Sequence, residues 1–460
     1  MKENKNLGGS DLKKINVCIA GGASTWTPGI LVGMIKKQNT FPINRLILFD
    51  NNPSRLEKMG EYAKIVMRDY MPDVECLYTC DEEEAFRDVD YVFCQIRTGG
   101  FAMREKDEKI PLQMGVIGQE TCGPGGFAYG MRSIKDMIEL VAKIRRYSPD
   151  AWILNYTNPA AIVAVALDRA YPDDKRILNI CDQPLSLLLA YSRLLGDVDY
   201  KDMVPYYFGL NHFGWFTKIL DKSKDNEDIT DRIKNMILNE GFAPADKEQR
   251  DPSWLVTYQS VKDMLELDPT YLPNTYLQYY LLPHQTVSHL NPEYTRANEV
   301  MNGREKRVFA ECDLVIRENS SKLSATIEQE FNKRDAHGDM IVEIAEAILN
   351  DENRYYVVIV KNDGIIDNLP KEALVEVLCV LGKDGPKPFK VGEIGSYYKG
   401  LIEQQYAYEK LTVDAYFEGS YLKALQALTL NRTVGDQQLA KKLLDALIEA
   451  NKDYFPELKK

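Results

Sequence analysis

Ile15-Asn16-Val17-Cys18-Ile19-Ala20-Gly21-Gly22-Ala23-Ser24-Thr25-Trp26-Thr27-Pro28 is where the fold announces itself. Ile15–Ala20 is a nearly continuous apolar run, as in a strand buried within a parallel sheet. Gly21–Ser24 turns it into a helix that Pro28 helps to start. Arg45–Asp50 reads as a second strand, and Asn51-Asn52-Pro53 opens a helix with apolar positions spaced along Arg55–Arg68. Tyr91–Cys94 and Trp152–Leu154 read as further strands, with Met131–Arg146 helical between them. Such alternation predicts a mostly parallel, doubly wound sheet.

The turn has chemistry of its own. Small residues at Gly21, Gly22, Ser24 and Thr25 let backbone amides approach a pyrophosphate at the helix N-terminus. Asp50, at the end of the next strand, is placed to bind a ribose hydroxyl pair. Neither register supplies all three glycines of G-x-G-x-x-G, so a plain tight turn is the competing reading. The strand-turn-helix-strand-acid context favours a dinucleotide.

The chain has 460 residues, which points to at least two packed subdomains. Its 57 basic and 69 acidic residues give a net charge of -12, and no basic block tracks a nucleic-acid backbone. Nucleic-acid binding is thereby disfavoured, whereas local arginine clusters leave an anionic substrate open. Met1–Lys14 is polar and lysine-rich without an apolar core, and no apolar run reaches bilayer length, so no secretory signal or membrane span is expected. Eight scattered cysteines fit a reducing cytoplasm better than a disulfide framework.

After Phe213 the pattern becomes helix-rich. Ile229–Leu238, Arg296–Asn319, Met340–Leu349, Ile402–Leu425 and Gln438–Ala450 read as helices, interrupted by β runs at Tyr355–Val360 and Val375–Val380. The expected architecture is α/β: an N-terminal Rossmann-like doubly wound sheet (1–200) and a helix-rich α+β domain (201–460) for substrate, metal and oligomerisation.

Two short stretches carry further chemistry. Asn179-Ile180-Cys181-Asp182 and Gly209-Leu210-Asn211-His212 each follow an apolar run, Arg176–Leu178 and Tyr206–Phe208. Each is expected to place a soft metal ligand beyond a strand's carboxyl end, the edge at which open α/β sheets bind ligands. Cys181 and His212 can share one divalent cation while leaving positions for substrate oxygens. Either alone is equally a core residue. The remaining histidines are His284, His289 and His337; the first two, five apart, match no known zinc pattern.

Gly118–Gly126 is too rich in glycine for the interior of a regular element, and reads as a loop folded over a ligand or a plain surface loop. Glu120 within it is placed to tune a neighbouring acid or base. Asn158 before Pro159 is either a helix cap or an amide that contacts sugar hydroxyls or nicotinamide. Among 27 tyrosines, three lie in Asn274–Tyr280, and a tyrosine beside a cation can have its pKa lowered enough to act as a base. Arg97, Arg104, Arg296 and Arg304 lie near these loops, with Arg296 at a helix start suited to gripping a phosphate.

Taken together, Ile19–Thr25, Gly118–Thr121, Asn155–Pro159, Asn179–Asp182 and Gly209–His212 resemble glycoside hydrolase family 4, in the family's order and over nearly the whole chain. This is a family of NAD- and metal-dependent glycosidases. Cys181-Asp182-Gln183-Pro184, Leu272–Tyr280 and Thr295–Met301 resemble its subgroup acting on 6-phospho-α-glucosides, the β-specific members tending to Asn where Asp182 stands. Gln183 departs from the Met or Val expected there.

The resemblance implies hydrolysis of 6-phospho-α-glucosides, such as maltose 6′-phosphate, to glucose 6-phosphate. It implies NAD bound at Gly21, Gly22, Ser24, Thr25 and Asp50, and Mn²⁺ or another divalent cation on Cys181 and His212. The glucose ring would be oxidised at C3 and lose its C2 proton to Tyr276, while Asp182 protonates the departing oxygen. Water would then add across the double bond and the hydride return. Arg104, Asn158 and Arg296 would hold the substrate. The partner is a phosphorylated disaccharide and the assembly a homodimer or homotetramer. Competing readings are a 6-phospho-β-glucosidase or α-galactosidase of the same family, a 2-hydroxy-acid dehydrogenase, and a catalytically silent NAD-binding regulator.

Overall fold

The structure is a computed structural model that describes residues 13–245, 247, 252–332 and 336–460. The polar stretch Met1–Lys14 therefore lies, but for its last two residues, outside the described residues.

Six parallel strands build the first half: β1 (Ile15–Ala20), β2 (Ile43–Phe49), β3 (Glu75–Thr79), β4 (Tyr91–Cys94), β5 (Trp152–Asn155) and β6 (Ile177–Asn179). Their order, β3-β2-β1-β4-β5-β6, reverses direction at β1. The crevice at that reversal is where doubly wound sheets bind dinucleotides. Helices cover both faces, so alternate side chains of one strand enter different cores. Val17 and Ile19 pack with the helix Thr27–Lys36, whereas Cys18 and Ala20 pack with Met137, Val141 and Ile144 of the helix Gly123–Tyr147.

The second half contributes β7 (Met203–Leu210), β8 (Phe213–Asp221), β9 (Glu227–Asp228), β10 (Leu272–Pro273), β11 (Arg354–Lys361), β12 (Leu374–Gly382) and β13 (Gly385–Pro388). β11, β12 and β13 join the first sheet antiparallel beyond β6, through the pair Ile359–Asn179. Residue 200 thus separates two lengths of chain, while one nine-stranded sheet carries strands from both sides of it. β7, β8, β9 and β10 form a separate antiparallel sheet.

Three sequence expectations need correction. His212 follows a strand's carboxyl end as expected, but that strand, β7, belongs to the antiparallel sheet and not to the doubly wound one. His212 sits in the turn of the β7–β8 hairpin, between the paired residues Leu210 and Phe213, at φ 60°. The helix-rich pattern expected after Phe213 opens instead on an unanticipated strand, β8, nine residues long. The glycine-rich segment is not all loop: Gly123-Pro124-Gly125-Gly126 forms the first turn of a 25-residue helix. A Cβ on Gly125 would stand 2.2 Å from the Gln119 carbonyl oxygen, so these glycines allow the preceding loop to fold back onto the helix.

Among the described residues no helix is long and apolar enough to cross a membrane. All eight cysteines are free, six of them buried.

Candidate active site

The strand-to-helix turn after β1 is tight. Gly21 has φ 84°, and a Cβ there would lie 2.7 Å from the Gln95 carbonyl oxygen. On Gly22 a Cβ would lie 2.8 Å from Leu48 Cβ. Both glycine amides donate to the Phe49 carbonyl, at 2.9 and 2.8 Å, and the Ala23 amide donates to Asp50 Oδ2 at 3.1 Å. The glycines therefore act by bringing backbone close; their own N–H groups are engaged within the turn. Asp50 also accepts from the Asn52 amide at 3.0 Å, so each of its carboxylate oxygens takes a backbone N–H. A cradle that a Cβ would fill, with an acid at the next strand end, fits a dinucleotide.

Beyond this turn a cavity of about 980 Å³ opens, and Trp26 is part of its wall. Cys181, Asp182, His212, Tyr276, Arg104, Asn158 and Arg296 all line it. Gly21, Gly22, Ser24, Thr25 and Asp50 lie outside that wall, on the turn from which Trp26 projects.

Cys181 follows β6, His212 caps the β7–β8 hairpin, and Tyr276 lies in the 3-10 turn Thr275–Leu277 after β10. The Cys181 Sγ–His212 Nε2 distance is 3.4 Å. Sulfur and nitrogen donors on a common cation stand roughly 3–3.6 Å apart, given metal–ligand distances of about 2.0–2.3 Å. Burial holds the His212 imidazole down at about 4, so it is neutral at pH 7, as a ligand must be. Burial, followed by the Glu376 and Asp182 carboxyls, pushes the Cys181 thiol well up, and a bound cation is what would deprotonate it. Among the described residues no group of three or more His, Cys, Asp or Glu is arranged to hold a metal. A cation on the Cys181–His212 pair would have room in its coordination for other oxygens. Donor types and spacing fit such a cation.

The Tyr276 ring stacks on His212 at 4.0 Å between centroids and 9° between planes. Asn274 Oδ1 accepts from the Tyr276 amide at 3.0 Å, while its Nδ2 donates to Tyr207 Oη at 3.1 Å. Burial pushes the Tyr276 phenol well above its ordinary value. The protein alone thus moves this group opposite to the lowering expected beside a cation, and its ionisation calls for added positive charge. Gln183, the departure noted in the sequence, donates to Thr275 Oγ1 at 2.6 Å and ties the helix after Cys181 to the turn bearing Tyr276.

The arginines are organised by carboxylates. Glu120 bridges Arg97 and Arg104, and Arg104 also donates through Nε to Glu108 at 2.8 Å. Although burial opposes it, Arg104 and Arg97 hold the Glu120 carboxyl down at about 2. Glu108 accepts from the Ala297 amide at 2.7 Å, which locks the helix carrying Arg296 onto this network. Arg296 Nη1 donates to Glu299 at 2.8 Å. Asn158 Oδ1 accepts weakly from the Ala160 amide, at 3.3 Å, so its amide serves the helix while lining the cavity.

Sequence reasoning missed three participants. Glu376 of β12 accepts from Asn211 at 3.0 Å behind the hairpin turn, and burial pushes its carboxyl up to about 8. Trp26 and His337 complete the wall near Asp182.

Family models match along the chain: family 4 glycosyl hydrolase over residues 16–195, and the family 4 glycosyl hydrolase C-terminal domain over residues 207–434. The chain belongs to glycosyl hydrolase family 4. Phospho-alpha-glucosidase PagL of Clostridium acetobutylicum is 48% identical over 448 residues, spanning 97% of this chain and all of that protein. A 6-phospho-alpha-glucosidase from gut microorganisms, solved in complex with NAD and Mn²⁺, superposes with TM-score 0.93 at 52% identity and covers 97% of this chain and all of that one. A second, in complex with NAD and glucose-6-phosphate, superposes at 0.92 with 42% identity and the same coverage.

Proposed function

We propose that this chain hydrolyses 6-phospho-α-glucosides, maltose 6′-phosphate among them, to glucose 6-phosphate, using NAD⁺ and Mn²⁺ or another divalent cation. The observation that carries the reading is the convergence of Cys181, Asp182, His212 and Tyr276 on one cavity that begins at the dinucleotide turn. Close relatives named for this activity support it, as do their complexes with NAD, Mn²⁺ and glucose 6-phosphate.

Cys181 and His212 are the residues that would hold the cation, and Gly21, Gly22, Ser24, Thr25 and Asp50 those that would hold NAD⁺. When bound, these groups supply a hydride acceptor for C3 of the glucose ring and positive charge beside the resulting ketone and Tyr276. The remaining work belongs to side chains. Tyr276 removes the C2 proton, made acidic by the neighbouring ketone. Asp182 gives its proton to the glycosidic oxygen as the C1–O bond breaks and C1=C2 forms. Arg296, beside the Arg104–Glu120–Arg97 network, receives the 6-phosphate, with Arg104 and Asn158 orienting the ring. The reading extends to a cytoplasmic homodimer or homotetramer.

The test is cleavage of maltose 6′-phosphate and of nitrophenyl 6-phospho-α- and β-glucosides, with and without NAD⁺ and Mn²⁺. Cleavage confined to α-linked substrates and dependent on both additions is expected. Activity indifferent to removing both would sink the mechanism, and net NADH formation would reveal a dehydrogenase.

A further inference from the structure

The helix Ala336–Leu349 crosses the helix Thr27–Lys36 at unusually close range. A Cβ on Gly338 would lie 2.3 Å from the Gly29 carbonyl carbon, and one on Gly33 would lie 2.8 Å from the Gly338 carbonyl oxygen. This crossing brings His337 into the cavity wall, 155 residues along the chain from Asp182.

The His337 imidazole is clamped on both faces. Trp26 stacks on one side at 4.5 Å and 24°, and Tyr156 on the other at 4.1 Å and 19°. Tyr156 Oη also donates to the His337 carbonyl oxygen at 3.1 Å, and the Arg304 guanidinium lies over the Trp26 ring at 3.9 Å. A ring held between two others keeps one plane, so only its edge can address a neighbour. That edge presents Nδ1 to Asp182 Oδ2 at 3.1 Å.

Asp182 is the N-cap residue of the helix Gln183–Leu195, yet its side chain makes no capping bond to the helix amides. The usual device that fixes an aspartate at this position is therefore not in use. We propose that His337 is a positioning residue for Asp182: its Nδ1–H, donated to Oδ2, sets the carboxyl rotamer and leaves Oδ1 as the oxygen that carries the acid proton to the substrate. In the elimination step the C1–O pair leaves with the glycosidic oxygen, C1=C2 forms from the electrons freed at C2, and the Oδ1 proton neutralises the leaving alcohol. This inference rests on the reading of Asp182 as the acid.

The experiment compares wild type, His337→Phe and His337→Asn on two substrates, with NAD⁺ and Mn²⁺ saturating and melting curves recorded for each protein. Maltose 6′-phosphate releases a sugar alkoxide that needs a proton; nitrophenyl 6-phospho-α-glucoside releases a phenolate that does not. Phenylalanine keeps the stack and loses the nitrogen, whereas asparagine loses the stack and keeps a donor near the place of Nδ1. H337F should lower kcat about 10–100-fold on maltose 6′-phosphate and by less than about 3-fold on the nitrophenyl substrate, since well-placed acid catalysis is worth roughly 10²–10⁴-fold. H337N should keep the ratio of the two kcat values within about 3-fold of wild type, and it decides the matter if H337F does not fold. Equal losses on both substrates, or H337N shifting the ratio by more than about 3-fold, would overturn the proposal. A wild-type protein that cleaves neither substrate overturns the underlying assignment of function instead.

Discussion

Cys181 Sγ and His212 Nε2 stand 3.4 Å apart although they are delivered by different sheets, one after β6 and the other in the β7–β8 hairpin turn. The pair therefore exists only when the two halves of the chain are docked. Cys181→Ser replaces a soft donor with a hard neutral hydroxyl that a cation does not readily deprotonate. Mn²⁺ affinity should fall at least about 10-fold and turnover with it, while the melting temperature of the metal-free protein stays near wild type. Manganese titration followed by paramagnetic resonance measures this; unchanged affinity would remove Cys181 from the ligand set.

Tyr276→Phe keeps the ring that stacks on His212 and removes the base. A loss of about 10²–10⁴-fold in kcat is expected, with substrate affinity little altered. Steady-state kinetics on nitrophenyl 6-phospho-α-glucoside reads it directly. A fall of only a few-fold would assign the C2 proton to another group.

Glu120→Ala leaves Arg97 and Arg104 facing each other without their shared carboxylate. Losing one partner of a buried pair costs about 3 kcal/mol, and the freed guanidinium groups should also raise KM. The sign with pH follows from the depressed carboxyl. Its stabilisation is complete above the ordinary value of 4.5 and is lost as pH falls toward about 2. Wild type should lose stability over that interval faster than E120A in urea melts at graded pH.

Glu409 gives the opposite slope. Burial in the helix Ser396–Glu418 pushes its carboxyl up to about 8, against the single opposing bond donated by Gln405 at 2.8 Å. The folded state then holds a proton that the unfolded state releases above 4.5, so stability falls as pH rises from there to about 8. Each pH unit in that window is worth about 1.4 kcal/mol at most. Glu409→Gln should flatten the decline, and equal slopes for both proteins would contradict it.

The doubly wound half was legible because strand burial, the Gly21–Gly22 turn and Asp50 are local signals that agree with one another. Cys181 and His212 were legible as residue types but not as a place. The hairpin that carries His212 has β8 buried on both faces over Phe213–Phe216, so that stretch lacks the alternation that marks a half-buried strand. The first turn of the helix Gly123–Tyr147 was hidden for the converse reason: its glycines serve tertiary contact rather than helix propensity. His337 and Glu376 reach the site through contacts spanning 155 and 165 residues, for which periodicity and spacing offer no signal.

The central claim is bond cleavage through removal of the C2 proton. Turnover of maltose 6′-phosphate in D₂O, with NAD⁺ and Mn²⁺ present, tests it most directly by nuclear magnetic resonance of the glucose 6-phosphate released. The account predicts deuterium at C2 of the product, because the proton taken by Tyr276 is replaced from solvent when water adds across C1=C2. Product formed at the normal rate with protium retained at C2 would contradict it.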